Sequence, residues 1–373
     1  MVEKILALPI EEKIGQLFFI GLPGAEVDAE TKELLRDITP GGVCLFARNI
    51  RDAAQTRKFT DDIRKNLSIE PFISLDQEGG LVDRLRRIIA PMPAPSSLKS
   101  PAEARNLAEI TAETIRILGF NMNFAPVVDV VDDARMNSFN GLYSRAFGKY
   151  KSEVVEYAEA YLDGLQGGGC LGCLKHFPGL GASQVDSHEE LPNVFLTREE
   201  LYDNDLIPYR RLFPTEKVNA VMNAHASFPR FDLQETDNNG KLLPSSLSYN
   251  IATVLLREEL GFEGLAITDD LEMGAIVKNY GIGEACQMAI LAGEDMLAIC
   301  ANADSIREGF NAIKDAVKSE RISESRIDES LQRIAHLKSL MQPPLHFDKE
   351  RLQSLSDKIS QLNNQITEDT QIV

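Results

Sequence analysis

Eight short apolar runs, rich in β-branched and aromatic residues, recur at wide intervals along the chain. They are QLFFIGL from Gln16, GVCLFA from Gly42, FISLDQ from Phe72, NMNFAPVVDV from Asn121, CLGCLKHF from Cys170, AVMNAHA from Ala220, GLAITDD from Gly264 and DMLAIC from Asp295. Between them lie segments such as DAAQTRKFTDDIRKNL, PAEARNLAEITAETIRILG, SYNIATVLLREELG and GIGEACQMAILAG, whose apolar residues fall three and four apart, as on one face of a helix. Near-continuous apolar strands alternating with amphipathic helices predict a parallel sheet covered by helices, and eight such units predict a closed (β/α)8 TIM-type barrel. An open doubly wound sheet is the alternative, but the glycine fingerprint of a dinucleotide fold, G-x-G-x-x-G after an early strand, is missing from the sequence. Leu352, Leu355, Ile359, Leu362 and Ile366 then mark one more amphipathic helix. The expected organisation is a single barrel over residues 1–344 and a C-terminal helical tail over 345–373.

In such a barrel the catalytic groups belong at the C-terminal ends of the strands. The polar residues fall there: Asp76 toward the end of the third run, Asp129 of the fourth, Lys175 and His176 of the fifth, His225 of the sixth, Asp269 and Asp270 of the seventh. One such residue is as often a helix cap or a satisfied core group. A ring of them around one rim calls for a polar ligand.

Asp186 and His188, in KHFPGLGASQVDSHEELP, are two apart, so in extended backbone both side chains face the same way. A carboxylate beside an imidazole fixes its tautomer and raises its basicity, which suits a proton shuttle near neutral pH. On its own the pair also fits a salt-bridged surface loop.

KHFPGLG followed by DSH, together with ITDDLEM from Ile267, resembles family 3 of the glycoside hydrolases, specifically its single-domain β-N-acetylglucosaminidases. SLDQEGGLVDR from Ser74, NFAPVVD from Asn123, SRAFG from Ser144, VMNAHASFP from Val221, LPSSLS from Leu243, LREELGFEGL from Leu256 and AGEDML from Ala292 extend the likeness over most of the chain. The resemblance implies that Asp269 is the nucleophile of a retaining reaction. It makes the His188–Asp186 pair the general acid/base, a role that most retaining glycosidases give to a second carboxyl group. It implies that Asp76, Arg84, Arg145, Lys175 and His176 grip sugar hydroxyls, which want charged and forked hydrogen-bond partners. Asp270 reads as the N-cap of the following helix, and Gly79 and Gly80 as allowing the loop to pass close to the sugar. The sequence departs from the family pattern at Leu180, where a histidine is common, and at Leu81, where an arginine is usual; both bear on the subsites beyond the cleaved sugar.

The expected reaction is therefore exo-hydrolysis of a terminal β-linked N-acetylglucosamine, with muropeptide recycling as the setting the resemblance implies. A phosphorylase, a β-glucosidase and a catalytically inactive sugar-binding barrel are the competing readings. Composition narrows the partners further. With 39 Lys and Arg against 57 Asp and Glu, the formal charge of −18 repels nucleic acid and anionic membranes. The N-terminus has only a short apolar run broken by Pro9 and Glu11, unlike a secretory signal or spanning helix. Five cysteines, Cys44, Cys170, Cys173, Cys286 and Cys300, cannot all pair, so a reducing cytoplasm is expected. No His, Cys and carboxylate spacing matches a zinc or calcium site, and no cofactor is expected. Cys170-x-x-Cys173 lies inside a strand-like run rather than at a helix N-terminus, which argues against a redox role. His225 is expected to line the pocket and His336 to be a surface or packing residue on an amphipathic helix. The expected assembly is a monomer or homodimer.

Overall fold

The computed structural model describes residues 2–371 apart from 136–140, 185, 186, 188 and 189. Nine strands, all paired in parallel, follow the predicted runs: β1 Phe18–Gly21, β2 Gly42–Cys44, β3 Phe72–Leu75, β4 Met122–Asn123, β5 Leu171–Gly172, β6 Leu174–Phe177, β7 Ala220–Asn223, β8 Leu265–Asp270 and β9 Met296–Ile299. Their order is β5-β4-β3-β2-β1-β9-β8-β7-β6. The two ends of that order, β5 and β6, are one stretch of chain interrupted at Cys173. β5 pairs with β4, and the Cys173 and Lys175 N–H groups donate to the carbonyls of Ala125 and Pro126 at 2.9 and 3.2 Å. β6 pairs with β7, so the sheet closes on itself as an eight-strand barrel whose fifth strand is broken. The fold is the (β/α)8 TIM-type barrel.

Burial explains why these runs became strands. Every residue of β1, β2, β3, β7 and β9 is buried, as expected when helices cover one face and the barrel interior the other. The helices start where the sequence supplies a cap. Asp28, Asp52, Ser100 and Ser323 each accept a backbone N–H three residues on, opening the helices Ala29–Ile38, Ala53–Lys65, Pro101–Ile117 and Glu324–Ser339.

The tail forms the helix Lys349–Gln371. Its five predicted apolar residues, Leu352, Leu355, Ile359, Leu362 and Ile366, are all buried in the main core cluster, and burial of each side chain contributes roughly 1.5–3 kcal/mol. Polar contacts fix its register: Arg351 Nη2 donates to Glu113 Oε2 at 2.7 Å, and Asn363 Nδ2 to the Pro91 carbonyl at 2.9 Å. Among the described residues, no helix is long and apolar enough to cross a membrane.

Candidate active site

One pocket opens over the C-terminal ends of the strands, and Asp76, Arg84, Arg145, Lys175, His176 and Asp269 all line it. Asp186 and His188 lie outside the described residues. Ser187 between them lines the same pocket, and its carbonyl accepts the N–H of Ala275, just past β8.

Lys175 and His176 are neighbours, and regular strand geometry would aim them at opposite faces. The β6–β7 register shifts between Lys175 and Phe177, and this irregularity lets both face the pocket. Lys175 is buried, with Nζ 2.6 Å from both Asp76 Oδ1 and Glu78 Oε1. Glu78 also takes a forked contact from Arg145, Nε to Oε2 at 2.8 Å and Nη2 to Oε1 at 3.0 Å. Burial pushes the Glu78 carboxyl up, but the cations of Lys175 and Arg145 outweigh it and hold the group down at about 2. His176 Nδ1 lies 2.7 Å from Asp129 Oδ2, whose other oxygen accepts the Leu180 N–H at 2.7 Å. Asp129 thus fixes which imidazole nitrogen faces the pocket. With Arg145 Nη2 3.4 Å from His176 Nε2, the result is a continuous polar chain, Asp76, Lys175, Glu78, Arg145, His176 and Asp129. Arg84 is looser: Nη2 is 3.8 Å from Asp76 Oδ2, and its buried Nε has no hydrogen-bond partner among the described residues.

Asp269 sits at the end of β8, its Oδ1 accepting the N–H of Asp270 at 2.8 Å. Burial raises its carboxyl, yet the imidazoles of His176 and His225, that N–H and the Lys175 ammonium bring it below the usual carboxylate range. Asp270 goes the other way. Burial, with Glu272 and Asp269 nearby, lifts it to about 7 despite backbone N–H groups that favour its charged form. Two adjacent carboxyls with protonation pushed apart are the usual mark of divided labour in a site.

Several sequence readings change in detail. Asp270 is not the N-cap of the next helix. A turn intervenes, Met273 occupies the cap of Gly274–Val277, and Asp270 Oδ1 instead accepts the N–H groups of Glu272 and Cys300 at 3.1 and 3.2 Å. Gly79 and Gly80, between the pocket-lining Glu78 and Val82, both have positive φ, and a Cβ on Gly79 would lie 2.2 Å from the Pro93 carbonyl oxygen. His225 does not line the pocket; it is fully buried, with Nδ1 2.7 Å from Ser246 Oγ and Nε2 3.0 Å from the Asp270 carbonyl. Leu180 lines the pocket, whereas Leu81 is exposed. Cys170 and Cys173 are buried and burial pushes both thiols well up, far from redox poise. Glu78 escaped the sequence reading, although its spacing from Asp76, the same two residues that separate Asp186 from His188, is a usable signal. Among the described residues, no group of three His, Cys, Asp or Glu is arranged to hold a metal ion.

The chain is similar to known proteins in both sequence and fold. A beta-hexosaminidase of Tolumonas auensis is 33% identical over 305 residues, covering 80% of this chain and 86% of its own. A beta-N-acetylglucosaminidase of glycoside hydrolase family 3 from Paenibacillus sp. superposes with a TM-score of 0.85 at 32% identity, over 95% of this chain and 69% of the other. A family 3 glycosyl hydrolase from Mycobacterium smegmatis superposes at 0.79 with 31% identity, over 91% of this chain and 99% of its own. Residues 9–337 match the glycosyl hydrolase family 3 N terminal domain, and the chain belongs to that family as a glycoside hydrolase.

Proposed function

We propose that the chain is a retaining, exo-acting β-N-acetylglucosaminidase. The observation that carries this reading is Asp269, ionised at the end of β8 and facing a pocket walled by Asp76, Arg84, Arg145, Lys175 and His176. The relatives named beta-hexosaminidase supply the sugar class.

In the proposed reaction an oxygen of Asp269 attacks the anomeric carbon while the glycosidic oxygen leaves with a proton from His188, which Asp186 steadies. His188 then takes a proton from water, the water oxygen attacks the same carbon, and Asp269 is released. Two inversions return the β configuration. Asp76, Arg84, Arg145, Lys175 and His176, all in the pocket wall, hold sugar hydroxyls. The substrate's acetamido group is recognised but takes no covalent part, because Asp269 supplies the nucleophile. The resemblance supplies the cellular setting, recycling of muropeptide fragments in the cytoplasm, and five free, buried cysteines are compatible with it.

Rates on an aryl N-acetyl-β-glucosaminide and an aryl β-glucoside, each with and without phosphate, test the reading. Faster turnover of the N-acetylated substrate, indifferent to phosphate, is expected. Phosphate-dependent turnover makes the enzyme a phosphorylase, and preference for the glucoside overturns the sugar assignment. A 2-fluoro sugar should leave an adduct that maps to Asp269, and a first-formed α product would exclude the retaining route.

A further inference from the structure

Two thiols that the proposed reaction does not use, Cys44 at the end of β2 and Cys300 just after β9, line the pocket beside Asp269. β2 and β9 are not neighbours; β1 lies between them. At that level β1 presents Gly21, which pairs with Cys44, while Ile20 pairs with Ile299 and so leaves Cys300 beside Gly21. Inward side chains of alternate barrel strands share a layer, and with no side chain at Gly21 between them Cys44 and Cys300 line one pocket. The approach is close, since a Cβ on Gly21 would lie 1.8 Å from the Cys300 carbonyl oxygen. Arg48, beyond β2, donates Nη2 to that same carbonyl, and Asp270 Oδ1 accepts the Cys300 N–H at 3.2 Å. The Cys300 backbone is therefore held from both sides.

We infer that Cys44 and Cys300 form a dithiol site in the wall of the catalytic pocket, which takes trivalent arsenicals and is blocked to substrate when they bind. The chemistry needs no oxidant. An arsenical R–As=O forms two As–S bonds, the two thiol protons leave with the oxygen as water, and arsenic stays trivalent. The R group then stands beside Asp269. The neighbouring Cys44 thiol, together with burial, raises the Cys300 thiol well above its usual range, so Cys300 enters the reaction as the thiol. Cys170 and Cys173 are the competing pair, but each thiol is turned to a local carbonyl, that of Leu171 or Leu174.

The test is to incubate the full-length protein with phenylarsine oxide and measure intact mass, the modified peptides, and hydrolysis of an aryl N-acetyl-β-glucosaminide. One adduct bridging Cys44 and Cys300 is expected, with at least tenfold loss of turnover, reversed by 2,3-dimercaptopropanol. Cys44→Ser and Cys300→Ser should each lose the stable adduct, and the remaining turnover of each should resist the arsenical. An adduct on Cys170 and Cys173, an adduct that survives in either serine variant, no adduct, or an adduct without loss of turnover would each overturn the inference. The blocking claim rests on the catalytic reading; the mass measurement does not, so an inactive protein that still bridges Cys44 and Cys300 separates the two failures.

Discussion

The side chain of Asp269 accepts the backbone N–H of Asp270 at 2.8 Å, while the Asp270 side chain turns back to the N–H groups of Glu272 and Cys300. Adjacent carboxyls thus have different work. One is held ionised toward the pocket, and the other shapes the turn beneath it.

Asp269→Ala is therefore expected to lower kcat by about 10⁴-fold or more while leaving the thermal melt near wild type, since it removes the covalent route. Asp270→Ala should cost roughly tenfold or less in kcat and lower the melting temperature, because it frees two backbone donors. Steady-state kinetics with melting curves decides; the reverse order of kinetic losses would make Asp270 the nucleophile.

Glu78 is the joint of the charged chain, binding Lys175 and Arg145 with both oxygens. Glu78→Gln keeps the shape and removes the charge. A displacement of either cation by about 1 Å predicts about 10²-fold loss of kcat/KM, and breaking a buried ion pair from one side predicts a fall in stability of roughly 3–5 kcal/mol. Denaturant melts and kinetics read the two effects separately. Full kcat/KM in a folded variant would remove Glu78 from the positioning of the pocket.

Much of this was legible in sequence, and the misses share a physical cause. The eight strands announced themselves because a strand covered on both faces must be apolar throughout, as FFIG and MLAI are. The break at Cys173 did not, because CLGCLKHF is apolar on either side of it. Lys175 and His176 could be named from their motif, but the register shift that turns both inward belongs to the β6–β7 pairing. Asp270 differs for a similar reason: an Asp ahead of a helix reads as a cap, and only the intervening turn shows otherwise. Glu78, like most buried acids, gives its burial away only when its cations are found.

The proposed proton shuttle predicts a dependence on leaving group. His188→Ala should slow a substrate with a poor sugar or alkyl leaving group by about 10²-fold or more, and an activated nitrophenyl glycoside much less, since only the former needs a proton at bond cleavage. Asp186→Asn should behave as a weaker version with a shifted pH profile. Equal losses on both substrates would mean that His188 binds sugar.

Glu294 offers a test of stability apart from catalysis. It is fully buried, its contact is the Asn223 side-chain amide, and Oε2 has no partner among the described residues. Burial first, then the charge of Asp295, lifts its carboxyl to about 8 against hydrogen bonding from Asn223, which favours the charged form. An unfolded Glu294 loses its proton near 4.5, whereas the folded one keeps it to about 8. Between those values the folded state binds the extra proton, so its contribution to stability is greatest below the lower pKa and falls as pH rises through the window. Above about 8 both states are ionised and the loss levels off. Glu294→Gln is neutral at every pH and keeps an acceptor for Asn223. It should therefore match wild type near pH 4.5 and gain on it steadily toward pH 8, by an amount on the order of a few kcal/mol. Denaturant melts of both proteins at several pH values measure the difference; parallel stability curves would mean that Glu294 is already ionised in the fold.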